Sequence, residues 1–266
     1  MKLASLHLWR IWIVLAIAAC CAVAIALHDP IPQDPAYHHF ADRRELLAVP
    51  NFWNVASNLP FLAAGMAGLF AFRSKKAPGI LPTLRWAYIA FFVGSIFVAV
   101  GSAYYHLAPN NKTLVWDRLA MTIAFMAFLS IIVGEHIDPN LGRKTLLPFL
   151  AIGMLSVIVW WITEVTGQGD LRFYVLVQFL PLAIIPFIVI LFQSALTRIE
   201  WVWAVLAAYA VGKAFEFFDG QIYRTLNVSG HTLKHLLAAA GVYFMALAVR
   251  KRICRVNGAM KWQHDL

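Results

Sequence analysis

Eight apolar runs divide this chain, each near the ~20 residues that a helix needs to cross a bilayer. They span Ile11–Leu27, Phe52–Phe72, Trp86–His106, Leu114–Gly134, Leu146–Val165, Phe173–Phe192, Trp201–Phe218 and His231–Val249. Charged residues make up 13% of the chain, against about 25% in soluble domains, and mean hydropathy is +0.71. The expected fold class is all-α, a polytopic membrane helix bundle, with seven core helices preceded by one extra N-terminal transmembrane helix.

The connections set the orientation. Basic residues gather in the N-terminal lead, in the Arg73–Arg85 loop, at Arg143-Lys144 and in the tail from Arg250 to Lys261. With eight spans these all fall on one side, and the acidic stretch from His28 to Asn51 falls on the other. Positive residues mark the cytoplasmic side, so both termini are expected there. The net charge of +9 is therefore a topological signal and implies no nucleic-acid partner. The division expected is 1–28 as a transmembrane helix or signal anchor, 29–51 as an extracytoplasmic loop, 52–250 as the seven-helix domain and 251–266 as a basic cytoplasmic tail. Ile17 to Cys20 faintly resembles a lipoprotein cleavage box, but the apolar run continues to Leu27, which favours a retained helix. Cys20, Cys21 and Cys254 make neither a disulfide framework nor a cysteine zinc site.

A few polar residues interrupt the apolar runs, and their spacing is regular. Ser102 and His106 are four residues apart, as are His231 and His235, so each pair shares one helix face. Asp117 opens the next run after His106. With eight spans, all five groups lie in the outer leaflet at similar depth. Ionisable groups at such depth are expensive and often functional. Three imidazoles with an open fourth position suit a catalytic zinc, which acidifies a bound water and polarises a carbonyl. Asp117 can move protons between that water and a leaving amine, and Ser102 can donate to a developing oxyanion. Each residue also has a plainer reading. A membrane histidine can simply bond a neighbouring helix, Ser102 beside Gly101 can be a packing contact, and Asp117-Arg118 can be an interfacial ion pair. The coincidence of all five at one depth favours a shared site. On the seventh run, Lys213 and Glu216 read as a self-neutralising pair. Asp219 reads either as a partner orienting a ligand histidine or as an interfacial charge beside Arg224.

Ser102-x-x-x-His106, Asp117 and His231-x-x-x-His235 together resemble the alkaline ceramidase family, part of a wider superfamily of seven-helix membrane hydrolases that includes the adiponectin receptors. The stretch Phe52-Trp53-Asn54-Val55-Ala56-Ser57-Asn58 is similar to the entry of that family's first helix. The resemblance implies a zinc-dependent amidase acting on the N-acyl bond of ceramide or a related membrane lipid, releasing a fatty acid and a long-chain base. It implies His106, His231 and His235 as zinc ligands, Asp117 as general acid/base and Ser102 as oxyanion stabiliser. Animal members bind calcium through an acidic segment before the first core helix. That segment is missing here and Asn51 stands where a carboxylate is expected, so calcium is doubtful as a second cofactor. The added first helix suggests a bacterial or otherwise divergent member, in the inner membrane if bacterial. Two rival classes remain open on the residues alone: a receptor-like or regulatory protein with structural zinc, and a haem-binding electron carrier.

Overall fold

The apolar runs become helices in a computed structural model that describes residues 2–72 and 79–255; Arg73, Lys75 and Lys76 of the basic loop, and Lys261 of the tail, lie outside the described residues. Helix α1 covers Lys2–Leu27. The second run is split into α2, Phe52–Ala56, and α3, Leu59–Ala71, with Pro60 in the first turn of α3. Then come α4 (Arg85–Leu107), α5 (Asn111–His136), α6 (Pro139–Val165) and α7 (Arg172–Leu191). The seventh run forms α8, Glu200–Phe217, and bends by 83° into the short α9, Asp219–Leu226. Helix α10 closes the fold over Gly230–Lys251. Among the described residues, seven stretches are long and apolar enough to cross a membrane, and α8 with α9 makes an eighth if the bent pair is one span. The protein is an all-α, multi-pass membrane bundle.

Local chemistry sets several helix boundaries. Asn110 and Thr113 form a reciprocal capping box at the start of α5. Asp138 caps α6 ahead of Pro139, and the Ser229 hydroxyl caps α10. Pro148, Pro181 and Pro186 sit inside α6 and α7, as is tolerated where neighbouring helices re-satisfy the freed backbone groups.

Burial ranks the helices. In α5, 72% of the apolar window is buried, against 6% in α1, so α5 is the central post and α1 an outlying helix. Helix α1 packs against α7. The α4–α5 pair packs closely, since a Cβ on Gly94 would lie 2.8 Å from Ile123 Cγ2 and one on Gly101 2.6 Å from the Trp116 carbonyl oxygen. Around α5, helices α3, α4, α7, α8 and α10 enclose an apolar cavity of about 140 Å³. At the opposite end of the bundle from the histidines, Arg252 is fully buried and bonds Glu135 and Tyr88.

Candidate metal centre

Three helix ends meet at one end of the bundle. The last two turns of α4 carry Ser102 and His106, the first turns of α5 carry Asp117, and the first turns of α10 carry His231 and His235. All five side chains are buried. One nitrogen from each of His106, His231 and His235 lies within 4.8 Å of the others, and the three ring centroids are 4.8–4.9 Å apart. His231 Nε2 stands 3.3 Å from His106 Nε2. Ser57 Oγ lies 2.8 Å from His235 Nδ1, which leaves Nε2 of that ring to face the other two. Converging buried imidazole nitrogens fit a divalent metal such as zinc, and a set of three protein ligands would leave a coordination position open.

Ser102 and Asp117 are brought together where Gly101 lets α4 touch the start of α5. Ser102 and Asp117 line one cavity. Both groups, with His235, line the polar end of the central cavity, whose walls are Phe91, Met121, Phe125, Leu182 and Ile185. The five residues, far apart in the sequence, lie near helix ends at one end of the bundle.

Two neighbouring charged groups have other partners. Arg118 does not turn to Asp117. Its guanidinium stacks 4.1 Å from the Trp160 ring and 4.6 Å from the Tyr174 ring, and donates to Gln33 Oε1 at 2.6 Å. Asp219 bonds the backbone of a candidate ligand histidine. Its carboxylate accepts from the His231 backbone N–H at 3.0 Å, from Ser229 Oγ at 2.5 Å and from the Ala41 N–H at 2.9 Å, so it ties the N-terminus of α10 to the long loop.

Several contributors carry weak sequence signals. Phe40, in the loop before α2, packs 4.6 Å from the His106 ring and 4.7 Å from His231, covering the histidines. Asn54, Ser57 and Asn58 of the Phe-Trp-Asn stretch are all buried, one helical turn apart. Asn54 Oδ1 accepts from Thr232 Oγ1 at 2.8 Å, and Asn51 Nδ2 donates to the His106 carbonyl at 2.9 Å. The shared face of that stretch was the available signal. The loop itself is held by Asp42, whose carboxylate takes two bonds from the Arg44 guanidinium, at 2.6 and 2.9 Å. Burial works to raise the Asp42 pKa, but the Arg44 bonds outweigh it and hold the group below its ordinary value.

The chain matches the family model described as Ceramidase over residues 47–218, well over half of its length. The match spans Ser57, Ser102, His106 and Asp117 and ends before α9 and α10, which carry His231 and His235. No curated protein matches. The chain belongs to the ceramidase family.

Proposed function

We propose that this ceramidase-family protein is a zinc-dependent intramembrane amidase that hydrolyses the N-acyl bond of ceramide or a related lipid to a fatty acid and a long-chain base. The observation that carries the reading is the buried set of His106, His231 and His235, of which His235 lines a cavity that Ser102 and Asp117 also line. These three histidines would hold the metal. Zinc bound there supplies a Lewis acid for the amide carbonyl and a water of lowered pKa. Asp117 accepts the proton of the attacking water and returns it to the departing nitrogen. Ser102, which lines the cavity with Asp117, donates its hydroxyl hydrogen to the oxygen that becomes negative as the carbonyl is attacked. Phe40 and the loop around it keep bulk water from the histidines, and the apolar walls accept an acyl chain entering laterally from the bilayer. Both termini are cytoplasmic in this reading, so the site opens toward the outer leaflet.

A panel of N-acylated lipids incubated with wild type and Asp117→Ala, with released fatty acids identified, tests the proposal. Wild type is expected to release fatty acid from a sphingoid amide, and Asp117→Ala to lose turnover while keeping its zinc and its thermal midpoint. Equal turnover by the two proteins, or wild type free of zinc, would sink the mechanism. Loss of fold in Asp117→Ala with no activity in wild type would instead favour a structural zinc.

A further inference from the structure

We propose that Glu216 is the positioning carboxylate of the metal centre, fixing His231 in the tautomer that offers a bare Nε2 to a metal. This rests on the reading of the three histidines as ligands. His231 Nε2 lies 3.2 Å from Lys234 Nζ. An ammonium donates and never accepts, so the contact requires a lone pair on that nitrogen. A neutral imidazole with its lone pair on Nε2 carries its proton on Nδ1. That Nδ1 faces Glu216 Oε1 at 3.7 Å.

Glu216 is itself held from two sides. Lys234 Nζ donates to Oε1 at 2.8 Å, and Lys213 Nζ bonds Oε2. The carboxylate side chain is 13% exposed, and the three charged groups line the same cavity as Asp117 and His235. The two ammonium clamps fix the plane of the carboxylate and leave Oε1 at the edge of His231. Ligating histidines commonly donate their second N–H to such a partner, which sets the tautomer and the ring orientation. Ser57 holds the corresponding nitrogen of His235. Asp219, the nearest alternative on the chain, is spent on the backbone and cap of α10. A metal entering the site competes with Lys234 for the Nε2 lone pair, and Lys234 keeps Glu216 as its partner.

The test uses purified full-length protein in detergent. Zinc affinity is measured by competition with a chromophoric chelator, and the visible bands of the cobalt(II)-substituted protein are recorded. Two variants are compared with wild type: Glu216→Gln, and Lys213→Met/Glu216→Gln, which removes one charge of each sign and so leaves the cavity balanced. Both are expected to bind zinc 10–100-fold more weakly and to show shifted cobalt bands. Wild type binding one zinc, with the charge-balanced variant within twofold of it and its cobalt bands unchanged, overturns the role of Glu216 alone. Wild type binding no zinc overturns the metal centre, and this inference with it.

Discussion

At the scale of single residues, the meeting of Ser102 with Asp117 depends on a side chain that is absent. Gly101 lies against the Trp116 carbonyl, and an added Cβ would come within 2.6 Å of that oxygen, closer than real Cβ atoms come. Gly94, two turns earlier on α4, is similarly tight, with a Cβ placed 2.8 Å from Ile123 Cγ2. Either alanine overpacks the seam and should cost about 1–3 kcal/mol. Only Gly101→Ala pushes the start of α5 away from Ser102. It is therefore expected to lower kcat at least tenfold, while Gly94→Ala lowers the thermal midpoint by a similar amount and keeps most of its turnover. Equal losses of turnover from the two would show that the seam matters only for stability. Arg118 teaches a related lesson. Adjacent helix residues do not face each other, so Asp117 turns into the cavity and Arg118 turns toward Trp160 and Tyr174.

At the scale of elements, the break after α8 explains which carboxylate reaches the histidines. In a straight helix Glu216 and Asp219 would share a face. The 83° bend at Phe218 separates them, leaving Glu216 beside His231 and sending Asp219 to the N-terminus of α10. Local sequence carries no signal for that bend. The pairing of His231 with His235 was legible because both sit on one uninterrupted helix, and the placing of the end of α4 with the starts of α5 and α10 on one side followed from the count of spans. The loop before α2 was legible as a connection but not as a cover, since Phe40 meets rings 66 and 191 positions away in the chain. Asp42 anchors that cover through Arg44, which also donates to the Asn227 carbonyl after α9. Because the folded pKa of Asp42 lies below its unfolded value of about 3.9, its contribution is present above that value and is lost as pH falls through the folded one. Hydrogen exchange over residues 38–46, corrected for the intrinsic rate, should accelerate as pH drops below about 4. Asp42→Asn should show the faster exchange already at neutral pH and little further change on acidification. A variant as protected as wild type at neutral pH would mean that Phe40 packing, rather than the ion pair, holds the cover.

At the scale of the whole molecule, the bundle is fastened at both ends by different chemistry. One end gathers the histidines. The other is closed by Arg252, which follows α10 and turns inward, although its place in a basic run reads as solvated tail. Its guanidinium donates to both oxygens of Glu135 at 2.9 Å, to Tyr88 Oη at 2.6 Å and to the Gly79 carbonyl at 3.3 Å, joining α4, α5 and the end of α10. Both side chains of the ion pair are 0% exposed. Removing one partner leaves a buried charge without its counterpart, which costs about 3–5 kcal/mol, whereas replacing both with neutral groups of similar size can be close to neutral. Arg252→Met is therefore expected to lower the thermal midpoint sharply in detergent, and Arg252→Met/Glu135→Gln to recover most of the loss. Tyr88 and His106 are separated by 18 residues of α4, roughly 27 Å along the axis. Below their unfolding transitions both variants should therefore bind zinc with wild-type affinity. A double variant as unstable as the single would show that the clasp acts through the Tyr88 and Gly79 contacts rather than through charge. A fall in zinc affinity in folded protein would show instead that the two ends of the bundle are mechanically coupled through α4 and α5.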